Sequence, residues 1–236
     1  MSGVQHLYVH LPFCTSRCGY CAFVVEVGGL ERRDSYVHAL RDELLLEIGQ
    51  LANSLDTVYF GGGTPTLMGA ARIGQIMQIL GSHVGPGTEV SIEANPETVD
   101  PAMFAALREC GITRVSIGAQ SFQPNLLRAL DRQASPEQVR RAIVAARSAG
   151  IASISIDLLF GIPGQGDAEL EADLDAVAEL RPDHISWYEL EVKPGSKLAR
   201  VGVEVDEDFT EDAYHTIVER LERSGYRWYE TANFAL

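Results

Sequence analysis

Three cysteines stand close together near the start of the chain, where their thiolates can bind a metal centre. Cys14, Cys18 and Cys21 form a C-x3-C-x2-C pattern directly after the first predicted strand. Three thiolates on one loop can hold three irons of a [4Fe–4S] cluster and leave the fourth iron open. A zinc loop or three incidental thiols are the alternatives, but a zinc site normally has a fourth Cys or His at similar local spacing. The spacing favours a cluster with an open iron.

A glycine-rich segment forms the second candidate site. Gly61, Gly62, Gly63 and Thr64 follow the second predicted strand and are closed by Pro65. Glycines let backbone amides and carbonyls approach a ligand closely. A bare run of glycines is also typical of a flexible turn. Its place directly after a strand favours a binding loop.

The elements that must position these segments follow from the apolar pattern, which alternates between two periods. Short β-branched or aromatic runs predict strands, and longer patterns with helical spacing lie between them. The predicted strands are residues 7–10, 57–60, 90–93, 114–118, 153–159, 185–188 and 226–229; the predicted helices are 35–51, 71–80, 101–110, 137–149, 169–180 and 210–223.

Boundary residues support these elements and lead to a fold class. Asp100 and Ser135 precede prolines and predict helix starts, whereas Gly111, Gly150 and Gly225 predict helix ends. Strands that alternate with helices imply parallel pairing with right-handed crossovers. We therefore predict an α/β fold in one domain, residues 1–236. It is a partial (β/α)6 TIM-like barrel of parallel strands, with its chemistry at the carboxyl ends of the strands.

Composition excludes several classes of function. The 236 residues include 19 Lys and Arg against 33 Asp and Glu, a net charge of −14. Nucleic acids and anionic membranes need clustered cations, so neither is expected as a partner. We expect no transmembrane segment and no signal peptide. Four unevenly placed cysteines favour a reducing compartment and predict a cytoplasmic protein.

The cysteine spacing, with Tyr20 just before the last cysteine, resembles that of the radical S-adenosylmethionine (SAM) enzymes. The resemblance extends over nearly the whole chain to the family related to oxygen-independent coproporphyrinogen III oxidase, and is greatest to its HemW-type haem chaperones. It rests on YVHLPFC, VYFGGGTPT, SIEANPETV, RVSIGAQSF, IDLLFGIPGQ, HISWYELEVKPGS and GYRWYETANFA. This implies a partial barrel of the radical SAM type and a [4Fe–4S] cluster on Cys14, Cys18 and Cys21. SAM would bind the open iron, and an electron from the cluster would cleave it to a 5′-deoxyadenosyl radical.

The resemblance also implies which other residues bind SAM. A carboxylate at Glu93 suits the ribose or amino group of SAM, and a guanidinium at Arg132 suits its carboxylate. Without the resemblance, Glu93 and Arg132 are typical of surface charges, and Asp157 is typical of a partner for an internal arginine. The full set is Tyr8, Gly61, Gly62, Gly63, Thr64, Glu93, Gln120, Arg132 and Asp157.

At the level of function, the resemblance implies haem chaperoning, with haem or another tetrapyrrole as ligand. A flavodoxin- or ferredoxin-type protein would be the electron donor, and SAM could be bound without turnover. An enzyme is the main alternative: a coproporphyrinogen III oxidase-like dehydrogenase, or a methyltransferase that uses two SAM molecules. A zinc-loaded scaffold without catalysis is the other.

Two departures from the family bear on this choice. Phe23 stands where the oxidases have a further cysteine, which weighs against the oxidase. The chain ends just after the ETANFA block, whereas the haem chaperones continue into a C-terminal domain. We therefore expect a radical SAM core that is truncated relative to the family.

Overall fold

The computed structural model describes residues 3–236, so Met1 and Ser2 of the predicted domain lie outside the described residues. Strands and helices alternate along most of the chain, as the sequence predicts. In order, the elements are β1 (His6–Leu11), β2 (Phe13–Cys14), β3 (Glu26–Val27), α1 (Arg33–Glu47), β4 (Thr57–Gly62), α2 (Ala70–Leu80), β5 (Glu89–Ala94), α3 (Pro101–Glu109), β6 (Arg114–Gln120), α4 (Pro124–Ala129), α5 (Pro136–Ser148), β7 (Ser153–Phe160), α6 (Asp167–Leu180), β8 (His184–Glu189), α7 (Lys197–Arg200), α8 (Glu207–Arg223), β9 (Arg227–Glu230) and β10 (Asn233–Ala235).

Eight strands form one sheet in the order β1-β4-β5-β6-β7-β8-β10-β9. Neighbouring strands run parallel from β1 to β8. Because this order has two ends, the sheet of the described residues is open rather than closed into a ring. The α/β fold with six parallel strands is therefore confirmed.

The end of the sheet corrects one prediction. The sequence predicts a parallel strand at residues 226–229, but β9 runs antiparallel to β10, which runs antiparallel to β8. Only Thr231 and Ala232 join β9 to β10. So short a turn reverses the chain, because a parallel pair needs a crossover of about a dozen residues or more. The short elements β2, β3, β10, α4 and α7 are also absent from the sequence prediction.

The two faces of the parallel sheet differ in character, because successive side chains of a strand point to opposite faces. One face is apolar and packs against the helices, where each large side chain contributes roughly 1.5–3 kcal/mol. Its buried members include Val9, Leu11, Val58, Phe60, Val90, Ile92, Val115, Ile117, Ile154, Ile156, Ile185 and Trp187. The polar residues between them must therefore take the other, concave face.

Helix boundaries agree with the capping prediction. The Asp100 side chain accepts a backbone N–H of α3 at 2.7 Å, and Ser135 begins α5 with a capping box. Gly111, Gly150 and Gly225 follow their helices with φ of 93°, 76° and 92°. This left-handed conformation strains residues that carry a Cβ.

A buried carboxylate on α6 anchors the segment that follows β6. Asp173 is 0% exposed. It accepts hydrogen bonds from the Ser121 hydroxyl at 2.7 Å, the Phe122 backbone N–H at 2.8 Å and the Gln123 side-chain amide at 3.0 Å. Burial raises the pKa of Asp173, although these hydrogen bonds lower it. The anchor fixes the chain immediately after Gln120.

We predict that Asp173→Ala lowers the free energy of unfolding by about 2–4 kcal/mol, because three donors, two of them buried, lose their acceptor. Glu179→Ala is the matched control on the same helix. Its carboxylate is exposed and pairs with Arg140, so its loss should cost less than about 1 kcal/mol. Urea denaturation measures both variants. Equal effects would contradict the role of Asp173 as an anchor.

Candidate functional site

A cavity of about 1490 Å³ opens on the concave face of the sheet. It begins among the cysteines at the carboxyl ends of the strands and continues to Arg114 and His184, the first residues of β6 and β8. Ten of the twelve predicted site residues line it: Cys14, Cys18, Cys21, Gly62, Gly63, Thr64, Glu93, Gln120, Arg132 and Asp157. The two predicted residues that do not line it are Tyr8 and Gly61.

The cysteine loop is fixed by contacts with β3 and with the loop that follows α4. Cys14 ends β2, which pairs with β3, and the Gly19 N–H donates to the Leu130 carbonyl at 2.9 Å. All three cysteines line the cavity. Among the described residues, no three His, Cys, Asp or Glu side chains lie close enough together to hold a single metal ion.

Two of these thiols have donors beside them. The Thr64 hydroxyl lies 3.8 Å from Cys14 Sγ, and Arg132 Nη1 lies 3.5 Å from Cys18 Sγ. Burial raises the pKa of Cys14, and the Thr64 contact lowers it. Donors of this kind stabilise a thiolate more than a thiol, so they favour the form that binds metal.

The glycine loop packs closely against the chain that leads to the cysteines. The Gly63 N–H donates to the Leu11 carbonyl at 2.9 Å. A Cβ on Gly63 would lie 2.6 Å from the Pro12 carbonyl oxygen, and Gly62 has a φ of 124°. Only glycine fits at these two positions, so the run has a packing role as well as its predicted binding role.

Tyr8 and Gly61 lie beside the cavity rather than in its wall. Tyr8 is 56% exposed and stacks on Tyr59, with ring centroids 6.0 Å apart. A Cβ on Gly61 would lie 2.8 Å from the Tyr59 ring and 2.9 Å from that of Tyr8. These two residues therefore position Tyr59, which does line the cavity.

Glu93 is held by the elements around it. The Tyr59 hydroxyl donates to one carboxylate oxygen at 2.9 Å, and the Gly62 N–H donates to the other at 3.0 Å. Burial raises the pKa of Glu93, while these two hydrogen bonds lower it. Glu93 is thus a fixed group of the cavity and not the surface charge that its residue type alone would indicate.

Gln120 and Arg132 enter the cavity from the end of β6 and the loop beyond α4. The pairing of β6 with β7 shifts register between Gly118 and Gln120, and Gln120 has a φ of 65°. Such a bulge re-aims a side chain and is common beside functional sites. Arg132 Nη2 donates to Asn95 Oδ1 at 3.0 Å and to the Gly118 carbonyl at 2.6 Å. Its Nε is buried without a partner among the described residues.

Asp157 faces the cavity from β7. The Ser116 hydroxyl lies 2.9 Å and 3.0 Å from its two carboxylate oxygens. None of the ion pairs within residues 3–236 involves Asp157, so an internal arginine is not its direct partner. Burial raises the pKa of Asp157 to about 6, opposed by Ser116 and assisted by the negative charge of Glu93.

Sequence reasoning missed several residues of this cavity. They include Tyr59, Asn95, Arg114, Ser116, His184, Ser186, Tyr188 and Tyr229. A signal for some was present, because polar residues at every second position of β5 to β8 depart from the continuous apolar runs typical of parallel strands. Cys110, in contrast, contacts the Ala70 carbonyl at 3.3 Å and is not among the residues that line the cavity.

Comparison with known proteins places this geometry in a family. The model of the radical SAM superfamily matches residues 8–177, more than half of the chain. The chain belongs to the radical SAM superfamily. Membership implies a [4Fe–4S] cluster and SAM.

Individual relatives show which members of the superfamily the chain is similar to. The chain is 39% identical to the haem chaperone HemW of Mycobacterium tuberculosis (strain H37Rv), over 97% of this chain and 61% of that protein. It is 32% identical to HemW of Escherichia coli (strain K12), over 97% and 62%. The chain therefore spans about three fifths of the length of these curated relatives.

A solved structure supports the same family. Coproporphyrinogen III oxidase (HemN) from Escherichia coli, a radical SAM enzyme, superposes with a TM-score of 0.91 at 28% identity, over 99% of this chain and 56% of that one. The predicted resemblance to the HemN and HemW family and the partial barrel of the radical SAM type are confirmed. Within residues 3–236, no helix combines the length and apolar character needed to cross a bilayer.

The raised pKa of Asp157 predicts that this residue lowers the free energy of unfolding in a pH-dependent way. Its folded value of about 6 exceeds its ordinary value of 3.8. This destabilisation is therefore absent below about pH 4, develops as the pH rises from about 4 to about 6, and is complete above that range. Asp157→Asn stays neutral, so it should exceed the native chain in stability by up to about 3 kcal/mol at about pH 8 and match it near pH 4.

Urea denaturation at the two pH values measures this difference. Asp175→Asn is the control, because Asp175 is an exposed carboxylate that pairs with Arg220. Its effect should stay small at both pH values. A stability difference for Asp157→Asn that does not change with pH would contradict the raised pKa.

Proposed function

We propose that this chain is a radical SAM core that binds a [4Fe–4S] cluster and SAM within a haem-handling protein. The observation that carries the proposal is the shared cavity. One cavity is lined by the three cysteines, by Gly62, Gly63 and Thr64 of the glycine loop, and by Glu93, Gln120, Arg132 and Asp157. These residues come from different strands and loops, and a common wall is what adjacent cluster and SAM sites require.

The residues present fit a cluster on the three cysteines. Thiolates are the protein ligands of such clusters, and Thr64 and Arg132 supply donors to two of the sulfurs. Hydrogen bonds to the sulfurs tune the potential of a bound cluster. When bound and reduced, the cluster would supply the electron for cleavage of SAM. A flavodoxin- or ferredoxin-type protein would deliver that electron to the cluster.

The residues present also fit SAM. The unpartnered Nε of Arg132 leaves one donor for the SAM carboxylate. Glu93 and Asp157 are acceptors for its ribose and amino groups, and Gln120 offers an amide. The backbone of Gly62 and Gly63 borders the same space. Tyr8 and Gly61 would support the site through Tyr59.

Haem chaperoning is the role we propose for the protein to which this core belongs. It is supported by similarity to relatives named as the haem chaperone HemW. A second candidate is a tetrapyrrole-directed enzyme, an oxidase or a methyltransferase, which the high TM-score to HemN favours. Phe23, in place of the further cysteine of the oxidases, weighs against the oxidase.

We predict that anaerobic reconstitution with iron and sulfide gives the charge-transfer absorbance of a [4Fe–4S] cluster. Cys14→Ala should abolish it, because one of three ligands is lost. Cys110→Ala is the matched control and should retain the absorbance, since this thiol contacts Ala70 instead. A cluster that survives in Cys14→Ala, or is lost in Cys110→Ala, would contradict the assignment.

Incubation of the reduced, reconstituted protein with SAM separates the two candidate functions. Haem transfer to an acceptor with little SAM turnover is the outcome that we expect. Rapid formation of 5′-deoxyadenosine or S-adenosylhomocysteine would instead support an enzyme. Chromatographic measurement of both nucleosides, with the Cys14→Ala variant as blank, decides between them.

A further inference from the structure

Two of the three cysteines are connected by hydrogen bonds through side chains outside the cysteine loop. The Thr64 hydroxyl lies 3.8 Å from Cys14 Sγ. Arg132 Nη1 lies 3.5 Å from Cys18 Sγ. Asn95 lies between these two donors: its Nδ2 is 3.1 Å from Thr64 Oγ1, and its Oδ1 is 3.0 Å from Arg132 Nη2. Asn95 therefore contacts both of the side chains that reach the sulfurs.

The chemistry of these three side chains fixes the direction of each hydrogen bond. A guanidinium only donates, so the amide oxygen of Asn95 must face Arg132. The NH2 group of Asn95 must then face Thr64, where the hydroxyl oxygen accepts its proton. A hydroxyl has a single proton, and that of Thr64 is left to point at Cys14. Both ends of the network consequently donate to sulfur.

The network is held in place from several sides. Asn95 follows β5 directly and precedes a proline, which favours the extended conformation that it has, with φ of −92° and ψ of 139°. Its carbonyl accepts the Thr98 N–H at 2.9 Å and the Thr98 hydroxyl at 2.8 Å. Thr64 is buried, and Arg132 also donates to the Gly118 carbonyl. The donors are therefore oriented before any ligand binds.

Such donors affect the electron affinity of a cluster bound to the cysteines. Uptake of an electron adds negative charge beside the sulfurs, and hydrogen bonds to the sulfurs stabilise that more negative state. A hydroxyl that is free to rotate turns to whichever acceptor suits it. Because Asn95 donates to the oxygen of Thr64, the Thr64 proton is directed away from Asn95 and remains available to Cys14.

We propose that Asn95 is a positioning residue: it directs two donors, Thr64 and Arg132, at the cysteine sulfurs and thereby raises the reduction potential of the bound cluster. Most of this effect passes through Thr64, because Arg132 keeps the Gly118 carbonyl as a second acceptor. The inference rests on the proposed function and deepens it, since it assigns control of the electron transfer to a side chain that acts through its neighbours.

The test is a redox titration of the anaerobically reconstituted protein without SAM, followed by electron paramagnetic resonance of the reduced cluster. Asn95→Leu removes both hydrogen bonds and keeps a branched side chain of similar size. Thr64→Val removes the hydroxyl, and a double variant combines the two changes. Asn125→Leu is the matched control, because Asn125 is an exposed residue of α4. Cluster absorbance and thermal unfolding establish that each variant folds and holds the cluster.

We expect Asn95→Leu to lower the ratio of reduced to oxidised cluster about tenfold at a fixed potential, which is a shift of about −59 mV for one electron. Asn125→Leu should keep the native potential. Because Asn95 acts mainly through Thr64, Asn95→Leu should shift the potential less in the Thr64→Val background than in the native chain.

A native potential in Asn95→Leu, or equal shifts by Asn95→Leu in both backgrounds, would overturn the inference and leave the proposed function intact. Absence of a cluster from the native chain would overturn the proposed function, and the inference with it. Should Asn95→Leu not hold a cluster, the smaller Asn95→Ala takes its place under the same criteria.

Discussion

The alternation of apolar and polar side chains along the parallel strands is the constraint on which this structure depends. The apolar face of the sheet is buried against the helices in one hydrophobic cluster. A one-residue shift in the pairing register of any strand would move its apolar side chains to the cavity face and its polar side chains into the core. The energy of core burial therefore fixes the direction of every polar side chain on β5 to β8. The cavity is a consequence of the core, since the polar face can be satisfied only by water, ligands or its own hydrogen bonds.

Within the cavity, charged side chains are fixed by hydrogen bonds that use only some of their donor or acceptor atoms. Glu93 is fixed by Tyr59 and Gly62, and Arg132 is fixed by Asn95 and the Gly118 carbonyl. Such groups are oriented before any ligand arrives, which reduces the entropy lost on binding. Burial disfavours the charged forms of the Glu93 and Asp157 carboxylates. The polar site therefore lowers the stability of the fold.

Much of the fold could be predicted from the sequence because it is decided locally. Periodicity locates the six parallel strands, and Asp100, Ser135 and the glycines after the helices locate helix boundaries. The cysteine and glycine loops could be placed because each is contiguous in the chain. The contact of Arg132 with Cys18 joins residues 114 apart, so it depends on the assembled sheet.

The unpredicted features share a dependence on register. The bulge before Gln120 appears only when β6 is paired with β7. β9 has the composition of a strand in either orientation, and its short connection to β10 decides the antiparallel pairing. Arg114 and His184 are unremarkable as single residues, and both line the cavity only because β6 and β8, with β7 between them, present them on the same face of the sheet.

The central claim is that SAM and the cluster meet in this cavity through an open iron. The most direct test is electron paramagnetic resonance of the reduced, reconstituted protein with SAM that carries magnetic isotopes in its amino and carboxylate groups. The account predicts that SAM changes the spectrum of the cluster and that the labelled nuclei couple to it. An unchanged spectrum, or the absence of coupling from both labels, would contradict the account.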